Sequence, residues 1–250
     1  MSELFITDMT SLGQHTQWLI GVDEVGRGPL AGPVTATAVA IRRDWYFHNQ
    51  ESEQWSQVND SKQLTPAKRE HLFEIAGEVA RYANHCFCYE TASAMVQEID
   101  NRNILEATKL AMARALLMIE SRIRLKGEGL PRQDRSEMFE LGTQEEAEPE
   151  VLILIDGRKL KDFPYRHTAI VKGDSKSFCI AMASIIAKVQ RDRRMETLAV
   201  EYPEYGWEKN KGYGTKSHRN AILQYGPTRH HRKSFLGKIV PGITASPSTI

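Results

Sequence analysis

Four acidic residues could do metal chemistry together. Asp23 and Glu24 are adjacent and follow the apolar run Trp18–Val22. Asp156 follows Val151-Leu152-Ile153-Leu154-Ile155, the strongest buried-strand signal in the chain, and Asp174 follows the strand pattern His167–Val171 across Lys172-Gly173. If the first and fourth strands lie parallel and adjacent, their C-terminal ends coincide, and open α/β sheets place their sites at that edge. Two carboxylates about 4 Å apart repel by about 4 kcal/mol at an effective dielectric near 20. Such a cluster calls for neutralising cations, and oxygen ligands select Mg²⁺ or Mn²⁺. Two divalent ions could activate a water and stabilise the leaving oxygen of an in-line phosphoryl displacement. In this reading Asp23 bridges both ions, Glu24 and Asp156 serve one each, and Asp174 completes the second.

The turn after Glu24 admits other readings. Gly26-x-Gly28-x-x-x-Gly32 has a superficial likeness to a dinucleotide fingerprint. That motif must open a helix whose N–H groups hold a pyrophosphate. Here Pro29 and Pro33 flank the turn, and Val34–Ile41 alternates like a strand. An ordinary hairpin with solvated acids accounts for the glycines but not for two acids where a buried strand stops. Taken singly, each Asp is a turn residue or helix cap more often than a ligand.

The remaining elements must carry these residues. Thr65-Pro66 starts a helix, with Thr65 as N-cap and Pro66 at the first position. Leu72, Ile75, Ala76 and Val79 follow at helical spacing. We expect a strand over 81–90, a short helix over 91–99, a longer helix over 103–125 and another over 175–202 that ends at Pro203. Residues 42–56 read as a loop, and two short helices are expected at 215–224 and 230–238. The expected organisation is a catalytic domain over 18–205 and a helical substrate-binding appendage over 206–240. Residues 1–17 and 241–250 are expected to be flexible tails, and 126–149 an exposed acidic insertion.

The 250 residues, 41% hydrophobic and 26% charged, suit a soluble globular protein. No apolar run reaches the roughly 20 residues of a membrane helix, and the N-terminus lacks signal-peptide features. Cys86, Cys88 and Cys179 complete no zinc spacing and read as buried reduced thiols. These features point to a cytoplasmic protein with no membrane partner, by default a monomer. The net charge is only +1, but Lys209–Lys238 is strongly basic, with Tyr213, Tyr225 and Phe235 interleaved. That composition fits a nucleic-acid backbone, or simply a solvated helical face.

Read together, the motifs resemble the bacterial type 2 ribonuclease H family, ribonuclease HII, from about Trp18 to Phe235. They are Gly-Val-Asp-Glu-Val-Gly-Arg-Gly (21–28), Asn-Asp-Ser-Lys (59–62), Ile-Asp-x-x-Asn-Ile-Leu (99–105) and Leu-Ile-Asp-Gly (154–157). Val-Lys-Gly-Asp (171–174), Ala-Ser-Ile-Ile-Ala-Lys-Val-x-Arg-Asp (183–192), Lys-Gly-Tyr-x-Thr (211–215) and Gly-Pro-Thr-x-His-His-Arg-x-Ser-Phe (226–235) complete the set.

The resemblance implies an α/β, RNase H-like fold, a mixed central sheet flanked by helices with a small helical C-terminal appendage. It implies metal-dependent endonucleolytic cleavage of RNA in RNA–DNA hybrids, and nicking at single ribonucleotides in duplex DNA. It implies a role in ribonucleotide excision repair and in RNA-primer removal during replication. Asp23, Glu24, Asp156 and Asp174 match the family's catalytic and metal-binding acids. Gly26, Arg27 and Gly28 match the turn that feels the ribose 2′-OH, the one group separating RNA from DNA. Tyr213 matches the tyrosine that senses the sugar at the RNA–DNA junction. Lys62, Ser184 and Lys188 are expected substrate contacts, and Arg191 with Asp192 a structural ion pair. The acidic insertion is longer than the pattern leads one to expect and is placed away from the substrate face. The C-terminal 242–250 carries no aromatic anchor for a sliding clamp. A catalytically silent hybrid-binding protein is disfavoured by the intact acid set. An exonuclease or resolvase of the wider class has no need of Gly-Arg-Gly or Tyr213.

Overall fold

The computed structural model describes residues 3–49, 52–123, 130–132 and 150–242. Most of the acidic stretch 126–149 and residues 243–250 lie outside that set, and so do the expectations placed on them. Among the described residues a five-stranded sheet has the order β3-β2-β1-β4-β5. The strands are β1 (Trp18–Val25), β2 (Val34–Arg42), β3 (Phe87–Ala94), β4 (Val151–Asp156) and β5 (Thr168–Ile170). β1, β2 and β3 form an antiparallel meander. β4 runs parallel to β1, and β5 parallel to β4, so the sheet is mixed.

Helices cover both faces: α1 (Glu3–Ser11), α2 (Arg43–Asn49), α3 (Pro66–Tyr82), α4 (Val96–Arg102), α5 (Ile104–Arg122) and α6 (Phe178–Glu201). α7 (Trp207–Asn210), α8 (Lys216–Tyr225) and α9 (Lys233–Leu236) follow. Period-two alternation along β1 divides the core. Trp18, Ile20 and Val22 pack with Ala107, Ala111 and Leu116 of α5, while Leu19 faces Phe178, Cys179 and Ile186 of α6. Gly21 is where α6 comes closest, because an added Cβ would lie 2.3 Å from the Cys179 carbonyl carbon. Capping fixes the helix starts. Thr65 accepts from Lys68 N–H, Ser177 from Ile180 N–H and Thr215 from His218 N–H.

Several local expectations change. Residues 1–17 are not simply a loose arm, since Glu3–Ser11 is a helix with Leu4 and Phe5 buried. Residues 42–56 are not simply a loop, since α2 buries Trp45 and Tyr46 and the next turn buries Trp55. The cause is one aromatic cluster joining Phe5, Trp45, Tyr46, Trp55, Phe87 and Phe178, which local periodicity cannot reveal. The strand expected over 81–90 begins at Phe87 and runs through Ala94, where a helix was expected. Long-range pairing sets that register, as Thr37 and Thr35 of β2 meet Thr91 and Ser93 through hydroxyl hydrogen bonds of 2.7 and 2.9 Å. The three cysteines are buried and free. Residues 206–240 share a core with the distal half of α6, where Met195 and Ala199 pack with Tyr205, Trp207, Ala221, Ile222 and Leu236.

Candidate active site

β1 does not stop at the acids. It pairs with β2 as far as Val25, whereas its pairing with β4 ends at Val22–Ile155. Asp23 therefore stands one residue past the last β1–β4 pair, and Asp156 is the last residue of β4, still paired with Ile170 of β5. Asp174 arrives on the 3-10 turn Gly173–Ser175 just before α6. Gly173 N–H donates to Asp156 Oδ1 at 2.6 Å, tying that turn to the end of β4. Asp23, Asp156 and Asp174 each offer a carboxylate oxygen, and the three oxygens lie within 4.8 Å of one another.

Glu24 is a neighbour of this cluster and not its fourth corner. It lines the same cleft, but its Oε1 accepts from Arg27 Nη1 at 3.2 Å. The cleft, about 300 Å³, is also lined by Gly26, Arg27, Gly28, Lys62, Ser184, Lys188 and Tyr213. A larger cavity of about 840 Å³ lies at the opposite end of β1, around Trp18, Arg42 and His85, away from the acids.

The acids oppose one another. Burial, then the charges of Glu24 and Asp156, hold the Asp23 carboxyl well above its usual range, although hydrogen bonds from Ser184 and Glu24 N–H work the other way. Burial also raises Glu24 against the pull of Arg27. It raises Asp156 too, with Asp174 adding to the effect and Gly173 N–H opposing it. Lys62 Nζ reaches Asp174 Oδ2 at 3.3 Å. Burial disfavours the Lys62 charge, but Asp174, Asp60 and Asp23 outweigh it, and its pKa is raised. Three converging carboxylates with one lysine beside them are a donor set of hard oxygens with excess negative charge. That is what a divalent cation requires, so the residues present fit the metal implied by the family pattern.

The substrate-contact expectations divide. Lys62 faces the cleft with most of its side chain exposed. Ser184 is buried, bonded to Ser61 Oγ at 2.8 Å and directed at Asp23, so it supports the acids. Lys188 pairs with Asp192 at 2.8 Å. That pairing overturns the expected Arg191–Asp192 ion pair. Arg191 instead donates from Nε to Pro33 C=O at 3.0 Å, from Nη1 to Lys211 C=O at 3.0 Å and from Nη2 to Ala31 C=O at 3.3 Å. Gly26 has φ +91°, and a Cβ there would lie 2.2 Å from Arg191 Nε. The ring of Tyr213, 43% exposed, faces the turn, since a Cβ added at Gly28 would lie 3.7 Å from its Cε1.

Sequence reasoning missed the supports. Fully buried Arg232 donates to Gly32 C=O at 2.9 Å, Arg27 C=O at 2.9 Å and Gly26 C=O at 2.6 Å, so it holds the glycine turn from beneath. Burial first, then Arg191, lowers its pKa to about 9, and it stays charged at neutral pH. Asp100 accepts from Lys233 N–H and Ser234 N–H, both at 3.0 Å, and so clamps the chain just after Arg232. Both residues lie in quoted motifs, but nothing in a sequence marks an arginine whose partners are main-chain carbonyls.

Comparison with known proteins identifies the family. The family model for ribonuclease HII matches residues 20–128 and 132–238. A ribonuclease HII of Thermosynechococcus vestitus is 44% identical over 224 residues, 89% of this chain and 86% of that one. One from Ehrlichia ruminantium is 40% identical over 218 residues, 87% of this chain and 84% of that one. The crystal structure of ribonuclease H2 from Pyrococcus horikoshii superposes with a TM-score of 0.60 at 25% identity, covering 89% and 96% of the two chains.

Proposed function

The chain belongs to the ribonuclease HII family and is a type 2 ribonuclease H; from that premise we propose that it nicks duplex DNA 5′ to a lone ribonucleotide as well as cutting RNA in hybrids. The observation that carries this reading is the meeting, in one cleft, of three carboxylates, a glycine turn and an exposed tyrosine ring.

Asp23, Asp156 and Asp174, with Glu24 alongside, are the residues that would hold Mn²⁺ or Mg²⁺. When bound, such ions supply an activated water and neutralise charge at the departing oxygen. The remaining work falls to the chain. Ser184, backed by Ser61, aims the Asp23 carboxylate. Lys62 offers a cation to a phosphate beside Asp174. The turn Gly26–Gly28 has its Gly26 and Arg27 carbonyls drawn inward onto Arg232. Its opposite side is left to meet a ribose, and glycine at 28 permits close approach to the sugar's 2′-OH. Tyr213, packed beside Gly28, meets the next sugar and favours one without a 2′-OH. The products are a 3′-hydroxyl and a 5′-phosphate, and the cellular role is removal of misincorporated ribonucleotides and RNA primers.

The test is a DNA duplex carrying one ribonucleotide, incubated with Mg²⁺ or Mn²⁺. We expect one nick on its 5′ side and no cutting of the all-DNA duplex. Equal cutting of both duplexes would sink the proposal.

A further inference from the structure

Beneath Tyr213 lies a buried polar chain that takes no part in the cleft. Thr228 N–H donates to His231 Nδ1 at 2.9 Å. Nδ1 therefore presents its lone pair, and neutral His231 carries its proton on Nε2. Nε2 faces His218 Nε2 at 3.1 Å, and the Trp207 indole N–H reaches the same His218 nitrogen at 3.0 Å. His218 Nε2 is thus an acceptor, which places the His218 proton on Nδ1. Nδ1 lies 2.9 Å from the Tyr213 carbonyl. Every donor in the chain points the same way, from Thr228 through both imidazoles to Tyr213, and such runs reinforce one another. Both histidines are buried, and burial lowers their pKa values, His231 to about 3, so the neutral forms this polarity needs are the ones present.

The end of this chain bears on the cleft. Tyr213 C=O also accepts from Thr215 N–H at 2.8 Å, so two donors fix one peptide plane. On the other side, Tyr213 N–H donates to Asn210 C=O, and Gly212 C=O accepts from Leu30 N–H of the glycine turn, both at 2.8 Å. The phenol ring leaves this immobilised backbone toward Gly28. We propose that His218 is a positioning residue for Tyr213: its Nδ1–H sets the peptide from which the ring reaches the junction sugar. The inference rests on the reading of Tyr213 given above. It matters because a displacement of about 1 Å in a positioning group can lower a rate by up to about a hundredfold.

A purely structural role for His218 makes a different forecast, and a matched pair of substitutions separates the two. In His218→Asn the side-chain amide can stand where Nδ1–H stood and still donate to Tyr213. In His218→Gln the longer side chain can satisfy Trp207 and His231 but cannot donate to Tyr213. The second variant therefore keeps the Trp207 and His231 donors matched. The readout is the ratio of the cutting rate at a lone ribonucleotide to that on a uniform RNA–DNA hybrid. A partly unfolded preparation lowers both rates equally and leaves this ratio alone.

The expected result is a ratio lowered about tenfold in H218Q and within about twofold of wild type in H218N. In a Tyr213→Ala background H218Q should change the ratio by less than about twofold, because coupled residues are not additive. An unchanged ratio in H218Q, or the same tenfold loss with and without the Tyr213 ring, overturns the positioning role. If Tyr213→Ala alone leaves the ratio at its wild-type value, the sensing role of Tyr213 itself fails, and that is read from the single variant.

Discussion

The cleft has two walls built on opposite electrostatic principles. On the sheet edge, Asp23, Asp156 and Asp174 bring like charges together, and burial raises Asp23 and Asp156 further. Beneath the glycine turn, Arg191 and Arg232 are just as buried, yet each places its guanidinium donors on three main-chain carbonyls. Both arrangements put charge in a poor solvent. The difference is completeness. The arginine wall is satisfied by the fold itself, and the acid wall is not. What the fold leaves unbalanced is what a ligand is needed to finish.

The sharpest way to break this comparison is to neutralise one charge on each wall, because the stability effects should have opposite signs. Asp23→Asn should reduce cleavage on the order of 10³-fold or more, since it removes one of the three converging acids. The same change should raise the metal-free melting temperature, because it removes a carboxylate penalised by burial, Glu24 and Asp156. For the wild type, a raised carboxyl means that metal-free stability falls as pH rises through that raised value. Mg²⁺ or Mn²⁺ should reverse the loss in the wild type and do less in the variant. Calorimetry across pH, with and without the ion, measures the three stability effects, and a cleavage assay measures the loss of activity. A variant less stable than wild type in the absence of metal would show that the acid wall is internally balanced after all.

Arg232→Met should move the other way. It strands three buried carbonyls and costs roughly 3 kcal/mol of unfolding free energy. Cleavage should fall about 10- to 100-fold as the turn at Gly26–Gly28 loosens. Urea titration and steady-state kinetics on one preparation separate the two losses. A stability change within about 1 kcal/mol would mean that the carbonyls find water or other donors.

The two walls also differ in how far the sequence announces them. The acids were legible because strand patterns are local: an apolar run that stops at Asp23, another that stops at Asp156 and a third just before Asp174. That β1 and β4 are neighbours follows from ordinary α/β topology. Glu24 lines the same cleft with its carboxylate on Arg27, and that contact is a choice of rotamer and not of pattern. The arginine wall was illegible because its partners are carbonyls, which every residue possesses. Adjacency in sequence suggests an Arg191–Asp192 pair, yet on α6 those two side chains diverge by about 100° and Asp192 meets Lys188 one turn away. The N-terminal helix was missed for a third reason. Its burial comes from Phe5 packing on Phe178, a contact between distant parts of the chain.

That helix supplies the smallest test and an intermediate case between the walls. Asp8 on α1 is fully buried, but its Oδ2 accepts from Tyr46 O–H and from Cys179 N–H, both at 2.9 Å. It is a buried acid that the fold has partly matched. Burial raises its pKa from 3.8 to about 6, against the opposing hydrogen bonds from Ser177, Cys179 and Tyr46. The folded chain thus holds a proton between pH 3.8 and 6 that the unfolded chain has lost. Stability from this group is present in full below the unfolded value and declines as pH rises through about 6. At roughly 1.4 kcal/mol per pH unit the decline is worth about 3 kcal/mol. Asp8→Asn should remove that component, flattening the metal-free stability profile between pH 4 and 7 while leaving cleavage within about twofold of wild type. The acid wall contributes a decline of the same sign, so the decisive comparison is Asp8→Asn against Asp8→Asn with Asp23→Asn. Two separable reductions in slope would place Asp8 outside the cleft's electrostatics. A single reduction shared by both would mean that the N-terminal helix, bonded to α6 at Cys179, and the acid cluster, bonded to α6 at Ser184, titrate as one.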